Sequence, residues 1–320
     1  MPREPDLSVT IAGVKLRNPV IAASGTFGYG REYEGLLNIA ILGGICTKGL
    51  TLKDRPGNTG IRLHETPSGL MNSIGLENPG IPAFIENELP HLRTLGPAVI
   101  ANLSGSTAEE YVQGARLLDV SSVDMIELNI SCPNVKAGGM AFGLDPETAA
   151  SVTRQVRRAA PNKPLMVKLS PNAPDPGAVA HSCASAGADA LSLVNTFKAL
   201  SIDIRKRKPV FDNTSAGLSG PAIRPIALRM VWELYETVKI PIIGMGGIAS
   251  PADALEFLLA GATAVQVGSA TFQHPPLMNE VIIGIRDYMK ENNFTETGQL
   301  SIRKQERSIG YSIKGGKHEF

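Results

Sequence analysis

The chain has 320 residues and only three cysteines, carries almost no net charge, and contains no long apolar run. Each shortage excludes something. Cys46, Cys132 and Cys183 are too few and too widely spaced for a disulfide framework or a zinc site. They cannot supply the four thiolates of an ordinary iron–sulfur cluster, so any such cluster must sit on another chain. A formal net charge of +1 gives no hold on nucleic acid or on an anionic membrane surface. Without a run of about 18 apolar residues no membrane span is expected. The start, Met1-Pro-Arg-Glu-Pro-Asp6, lacks the apolar centre of a signal peptide, and a cytoplasmic location is the expectation. The five histidines show no metal-ligand spacing and form no Ser-His-Asp set, so no metal site is expected. No G-x-G-x-x-G follows an early strand. Gly244-Met-Gly-Gly-Ile-Ala249 lacks the last glycine and lies late, which excludes a dinucleotide fingerprint.

What is present is an alternation of strand and helix running nearly end to end. A composition of 43% apolar and 19% charged residues provides for a sizeable core. A short hairpin is expected first, 7–11 with 14–16, turning through Ala12-Gly13. Eight mostly apolar runs follow, at 19–23, 44–47, 98–103, 125–130, 165–169, 190–194, 240–245 and 264–267. Strands buried on both faces read this way. Helix-start signals separate several of them. Ser106-Thr-Ala-Glu109 resembles a capping box before a helix at 111–118. Asp145-Pro146 and Asp175-Pro176 place proline at the first helical position, before helices at 147–160 and 178–186. Ser250 caps 254–260, with Gly261 at the stop.

Ala186-Gly-Ala-Asp-Ala190 and Ala260-Gly-Ala-Thr-Ala264 repeat one helix-to-strand join 74 residues apart, two βα units of ordinary size. The expectation is one domain over residues 1–320, a (β/α)8 TIM barrel with an N-terminal β-hairpin; a doubly wound open sheet is the alternative. Two connections, 50–82 and 197–221, are too long for simple turns and are expected as insertions over the C-terminal face. The basic run Arg205-Lys-Arg-Lys208 in the second reads as a solvated loop.

Chemistry in such a barrel collects at the C-terminal ends of the strands. There the sequence places Asn129-Ile-Ser-Cys-Pro-Asn134, ahead of a glycine-rich segment to Gly143. A free cysteine is usually a small buried hydrophobe, and Cys46 and Cys183 read so. Cys132, among polar neighbours and glycines, reads instead as a reactive group. Lys48 and Lys168 end two apolar strands, where a lone ammonium is costly to bury, and together they suit an anionic ligand. Asn102, Asn129 and Asn195 end three more, offering donors and acceptors to a heterocycle. Gly246-Gly247 and Gly268-Ser269 follow the last two strands, where backbone N–H groups can approach a phosphate.

These residues together resemble the dihydroorotate dehydrogenase family, FMN-dependent (β/α)8 barrels of pyrimidine synthesis. The matching segments are Asn18-Pro-Val-Ile-Ala-Ala-Ser-Gly25, Thr47-Lys-Gly49, Asn72-Ser-Ile-Gly-Leu-Glu-Asn-Pro79, Asn129–Asn134, Lys168, Asn195-Thr196, Gly246-Gly247 and Gly268-Ser269. By that resemblance FMN would be held by Ser24, Lys48, Gly49, Asn102, Asn129, Lys168, Val194, Gly220, Gly246, Gly247, Gly268 and Ser269. Dihydroorotate would be held by Lys48, Asn72, Ser73, Ile74, Gly75, Leu76, Asn129, Asn195 and Thr196, with Cys132 as the catalytic base.

The membrane-bound class of the family carries a serine in place of Cys132 and an N-terminal extension that this sequence does not show. The stretch Asn134-Val-Lys-Ala-Gly-Gly-Met-Ala-Phe-Gly-Leu-Asp-Pro146 resembles the class 1B catalytic subunit. That resemblance implies a heterotetramer of two catalytic chains and two iron–sulfur, FAD-bearing chains that pass electrons to NAD. The fumarate-linked class 1A is the alternative within the family. Outside it, the late glycines alone would permit a non-redox phosphate-ligand barrel, a lyase or isomerase, with Lys48 or Lys168 as a Schiff-base candidate.

Overall fold

The computed structural model describes residues 4–131 and 142–303. Cys132 and most of the glycine-rich stretch after it therefore lie outside the described residues. An antiparallel hairpin of β1 (Val9–Ile11) and β2 (Val14–Leu16) opens the chain. β3 (Val20–Ala22) and β4 (Gly44–Cys46) follow, then β5 (Leu63–Thr66) and β6 (Gly69–Asn72). The short helix α1 (Ile81–Ala83) runs through a π-helical turn, Phe84–Glu88, into α2 (Leu89–Thr94). Regular alternation then sets in with β7 (Ala98–Leu103), α3 (Ala108–Asp119), β8 (Met125–Asn129), α4 (Pro146–Ala159), β9 (Leu165–Lys168), α5 (Pro176–Ser185) and β10 (Ala190–Leu193). Four short strands interrupt it: β11 (Phe197–Leu200), β12 (Ile202–Asp203), β13 (Lys208–Pro209) and β14 (Ser215–Ser219). The chain then continues with α6 (Arg224–Thr237), β15 (Ile242–Met245), α7 (Pro251–Leu259), β16 (Ala264–Val267) and α8 (Leu277–Glu291).

β3, β4, β7, β8, β9, β10, β15 and β16 close a parallel barrel in that order, β16 pairing back to β3. All eight expected strands are present, several ending a residue or two inside the expected bounds. The open doubly wound alternative is thereby excluded. The continuous apolar runs divide between two cores, because successive side chains in a strand point to opposite faces. Val20, Ala22, Val99, Ala101, Ile126, Leu128, Leu165 and Val167 face the helices. Ile21, Cys46, Ile100, Met125, Met166, Ala190, Ile243 and Ala264 pack together inside the barrel, one from each strand. Val9, Ile11 and Leu16 of the hairpin belong to that same inner cluster and plug the N-terminal end.

The helix starts follow side-chain capping. Asp145, Asp175 and Ser250 each accept a backbone N–H three residues on. For α3 the cap falls one residue later than expected: Thr107 caps Glu110 N–H, and the Glu110 carboxylate turns back to Ser106 N–H at 2.6 Å. The helix itself runs from Ala108 to Asp119, three residues more at its start and one more at its end than the expected 111–118. The repeated Ala-Gly-Ala joins are one device used twice. Gly187 and Gly261 take φ of +104° and +111°, and Ala188 N–H and Ala262 N–H bond back to Cys183 and Phe257 carbonyls. This is a Schellman closure, which needs the left-handed residue that glycine supplies most easily.

The two long connections meet each other. β11, β14, β6 and β5 form one four-stranded antiparallel sheet, with Gly217 opposite Asn72 and Phe197 opposite Leu218. Met71, Phe211 and Ala216 give it a small core of its own. Arg205 to Lys208 are all exposed at the β12–β13 turn, as a solvated loop should be. Among the described residues, no helix is long and apolar enough to cross a membrane.

Ile11 is fully buried in the plug. Ile11→Ala should cost about 2–5 kcal/mol of stability, through lost transfer energy and the cavity left behind. Urea unfolding of the variant against the parent measures it; a loss below about 1 kcal/mol would mean the hairpin does not seal the barrel.

Candidate active site

Above the apolar inner layer the next inward positions change character. On β7, β8, β9, β10 and β16 they are Asn102, Glu127, Lys168, Ser192 and Gln266, and Lys48 follows the end of β4. A cavity of about 570 Å3 opens over them at the C-terminal strand ends, within the usual range of small-molecule sites, roughly 300–1,000 Å3.

Most of the expected site residues line this cavity. Ser24, Lys48, Gly49, Asn129, Lys168, Val194, Gly220, Gly246, Gly247, Gly268 and Ser269 come from the barrel ends and the loops beyond them. Asn72, Ser73, Ile74, Gly75, Leu76, Asn195 and Thr196 also line it, the first five from the end of β6 and the loop after it. Asn102 is different. It is fully buried and does not reach the cavity wall; its amide bonds Glu127 on one side and Asn129 on the other. Cys132 lies outside the described residues.

The glycine pair after β15 is built for close approach. Gly246 and Gly247 take φ of +123° and +77°, and a Cβ on Gly247 would stand 2.7 Å from Arg224 Cβ and 2.8 Å from the Gly220 carbonyl oxygen. A side chain there would collide with the start of α6, so glycine lets that segment pack directly against the turn. Cationic groups surround the rest of the cavity: Lys168, only 5% exposed, Lys48, and Arg55 and Arg62 from the β4–β5 connection. Arg62 is held by Glu77 at 2.6 Å. A second cleft of about 790 Å3 adjoins the first and shares Lys48, Arg55 and Glu77 with it.

The residue that sequence reasoning overlooked is Glu127. Its side chain is fully buried inside the barrel. Oε2 accepts from Cys46 Sγ at 3.1 Å and Asn102 Nδ2 at 2.5 Å. Oε1 accepts from Ser192 Oγ at 2.8 Å and Gln266 Nε2 at 2.7 Å. Burial works against the charge, but the Lys168 ammonium and the donated hydrogen bonds outweigh it and hold the carboxyl below its ordinary range. The signal was present in the alternation: Met125, Glu127 and Asn129 share one face of β8, as Ala264 and Gln266 share one face of β16. Reading those runs as uniformly apolar hid the polar layer.

The other two thiols match their expected roles. Cys46 is fully buried, and desolvation with the neighbouring Glu127 charge pushes its pKa well up. Burial pushes Cys183 up to about 11.

A closed parallel barrel with two lysines, a glycine turn and several asparagines around the cavity at its C-terminal mouth has the architecture of a barrel enzyme. The comparisons make this specific. The family model described as dihydroorotate dehydrogenase matches residues 6–289. A Petrotoga mobilis protein named dihydroorotate dehydrogenase B (NAD(+)), catalytic subunit, is 57% identical over 295 residues, covering 92% of this chain and 98% of the relative. Proteins of the same name from Geotalea daltonii and Thermoanaerobacter pseudethanolicus are 53% and 52% identical, covering 93% and 92% of this chain and 97% of each relative. The chain belongs to the dihydroorotate dehydrogenase family and is an oxidoreductase.

The residues present fit the FMN that the family implies. Gln266 Oε1 is buried at the cavity wall and has no protein partner, an acceptor free for a ligand N–H. Gly246 and Gly247 line the same cavity in a turn where only glycine fits against Arg224 and Gly220, so backbone rather than side chain forms the wall there.

At neutral pH iodoacetamide should leave Cys46 and Cys183 unmodified in the folded protein and label both after denaturation, because only the thiolate reacts. Peptide mapping by mass spectrometry reads this out; native labelling of Cys46 would contradict its burial beside Glu127.

Proposed function

We propose that this chain is the catalytic subunit of an NAD-linked dihydroorotate dehydrogenase, oxidising (S)-dihydroorotate to orotate in the cytoplasm during pyrimidine synthesis. The observation that carries the reading is the convergence of Lys48, Asn72, Asn129, Lys168 and Asn195 on one cavity beside a glycine cradle. Relatives that share half or more of the sequence over nearly the full chain carry that name.

Each residue then has a task. Gly246, Gly247, Gly268 and Ser269 hold the FMN phosphate through backbone N–H groups, and Ser24, Gly49, Val194 and Gly220 bound the cofactor's place. FMN, when bound, supplies the hydride acceptor. Lys168 offers its positive charge to the flavin, and Asn102 acts on the site from beneath, through Asn129. Lys48 takes the substrate carboxylate. Asn72 to Leu76, Asn129, Asn195 and Thr196 take the ring amides, whose alternating N–H and C=O groups they complement. Cys132, assigned from its motif, removes the C5 proton as the C6 hydride departs. Electrons leave for NAD through a partner chain bearing FAD and an iron–sulfur cluster, in a heterotetramer of two catalytic and two electron-transfer chains. The absence of four clustered cysteines and of a dinucleotide fingerprint in this sequence supports that division of labour.

The purified protein should be yellow and should bleach when dihydroorotate is added without air. A folded, colourless preparation that takes up no FMN would count heavily against the reading. Cys132→Ser should keep the colour and lose on the order of 10²–10⁴ in reduction rate, the usual worth of a general base. The parent's reduction rate should climb with pH as the thiol, whose free pKa is about 8.5, ionises; wild-type-like reduction by the variant at neutral pH would remove Cys132 from the reaction.

A further inference from the structure

Glu127 is the acceptor at the foot of a hydrogen-bond chain that climbs to the cavity, every link running the same way. Asn102 Nδ2 donates to Glu127 Oε2 at 2.5 Å, and Asn129 Nδ2 donates to Asn102 Oδ1 at 3.3 Å. Ser131 Oγ donates to Asn129 Oδ1 at 2.6 Å, and Asn195 Nδ2 donates to Ser131 Oγ. Thr196 N–H closes the series on Asn195 Oδ1 at 2.8 Å. Two of these amides are set locally, because the backbone N–H groups of Ser131 and Thr196 can only donate and hold Oδ1 of Asn129, at 3.2 Å, and of Asn195; the Asn102 amide has no such backbone donor and could turn over. A carboxylate with both oxygens already accepting cannot donate. Its charge therefore fixes the sense of the Asn102 amide, whose Oδ1 is left to accept from Asn129, and Asn129 and Asn195 each keep one amide hydrogen that no described residue accepts.

We propose that Glu127 is a positioning residue of this site: a buried anionic anchor that, by fixing the Asn102 amide, gives Asn129 Nδ2 an acceptor from beneath and so holds the N–H side of Asn129 toward the bound pyrimidine, while balancing the charge of Lys168. The inference rests on the dihydroorotate reading and deepens it. It selects a ligand with carbonyl acceptors facing β8 and β10. It also accounts for the amide of Asn102, which touches no ligand-facing surface yet links the anchor to Asn129.

The test uses the FMN-loaded protein and two variants. Glu127→Gln removes the charge and turns an N–H toward one pair of donors, so the Asn102 amide is no longer held in one sense beneath Asn129. Ser131→Ala cuts the chain between Asn129 and Asn195 and leaves the charge in place. Orotate binding is titrated through the flavin absorbance, and the flavin midpoint potential is measured in the same samples. Both variants should bind orotate about tenfold more weakly, the worth of one charge-supported hydrogen bond. Only Glu127→Gln should move the potential, to more positive values, because a negative charge opposing flavin reduction is gone. Orotate binding within about twofold of the parent in both variants would overturn the anchor, a difference too small to be a lost hydrogen bond. Should Glu127→Gln fail to fold, Asn102→Ala, which keeps the charge and removes the link between it and Asn129, decides by the same criterion. A parent protein that holds FMN but binds no orotate would bring down the substrate reading and this inference together. Parent-like binding in the variants brings down the inference only.

Discussion

A carboxylate with no access to water stands in the middle of the barrel, and much of the architecture follows from having to hold it. Moving such an ion out of water costs several kcal/mol even after the protein relaxes. Four donated hydrogen bonds, at about 1.5–3 kcal/mol each when one partner is charged, are of the right size to meet that cost, with Lys168 as the opposite charge. Those donors come from β4, β7, β10 and β16. One side chain thus ties together strands from around the whole barrel. None of the donors can leave without exposing the anion to an apolar surrounding.

This explains the division of the barrel interior. Its lower layer is apolar and closed from below by the hairpin; its upper layer is polar and open to the cavity. A wholly apolar interior would pack as well but would give no fixed orientation to the Asn102 amide on which Asn129 rests. A buried ion pair is weak evidence for stability. Here the carboxylate serves orientation, and the outer core between barrel and helices supplies the bulk of the buried apolar area.

The second structural decision lies above the barrel. Two connections, separated by more than a hundred residues, pair into one sheet beside the cavity. The pairing of Asn72 with Gly217 brings the loop from Ser73 to Leu76 to the same cavity as Asn195 and Thr196. Both long connections thereby acquire a reason for their length: each carries half of the wall that the barrel ends cannot supply.

The barrel was legible in the chain because its signals are local. Apolar runs, capped helix starts with proline in the first turn and the repeated Ala-Gly-Ala joins each depend on a few neighbouring residues, and together they leave one closed architecture. Lys48, Lys168 and the glycine pairs could be placed at the C-terminal mouth for the same reason, since a strand end fixes where a residue points. The α3 cap was misplaced by one residue because Ser106 and Thr107 are both good caps, and only the folded backbone selects between them. The pairing of the two long connections, the withdrawal of Asn102 from the cavity and the anchoring role of Glu127 belong to the tertiary structure alone. Each depends on which groups meet across the barrel. Glu127 and Gln266 are 139 residues apart in the chain and 2.7 Å apart in space, and no local pattern encodes that meeting.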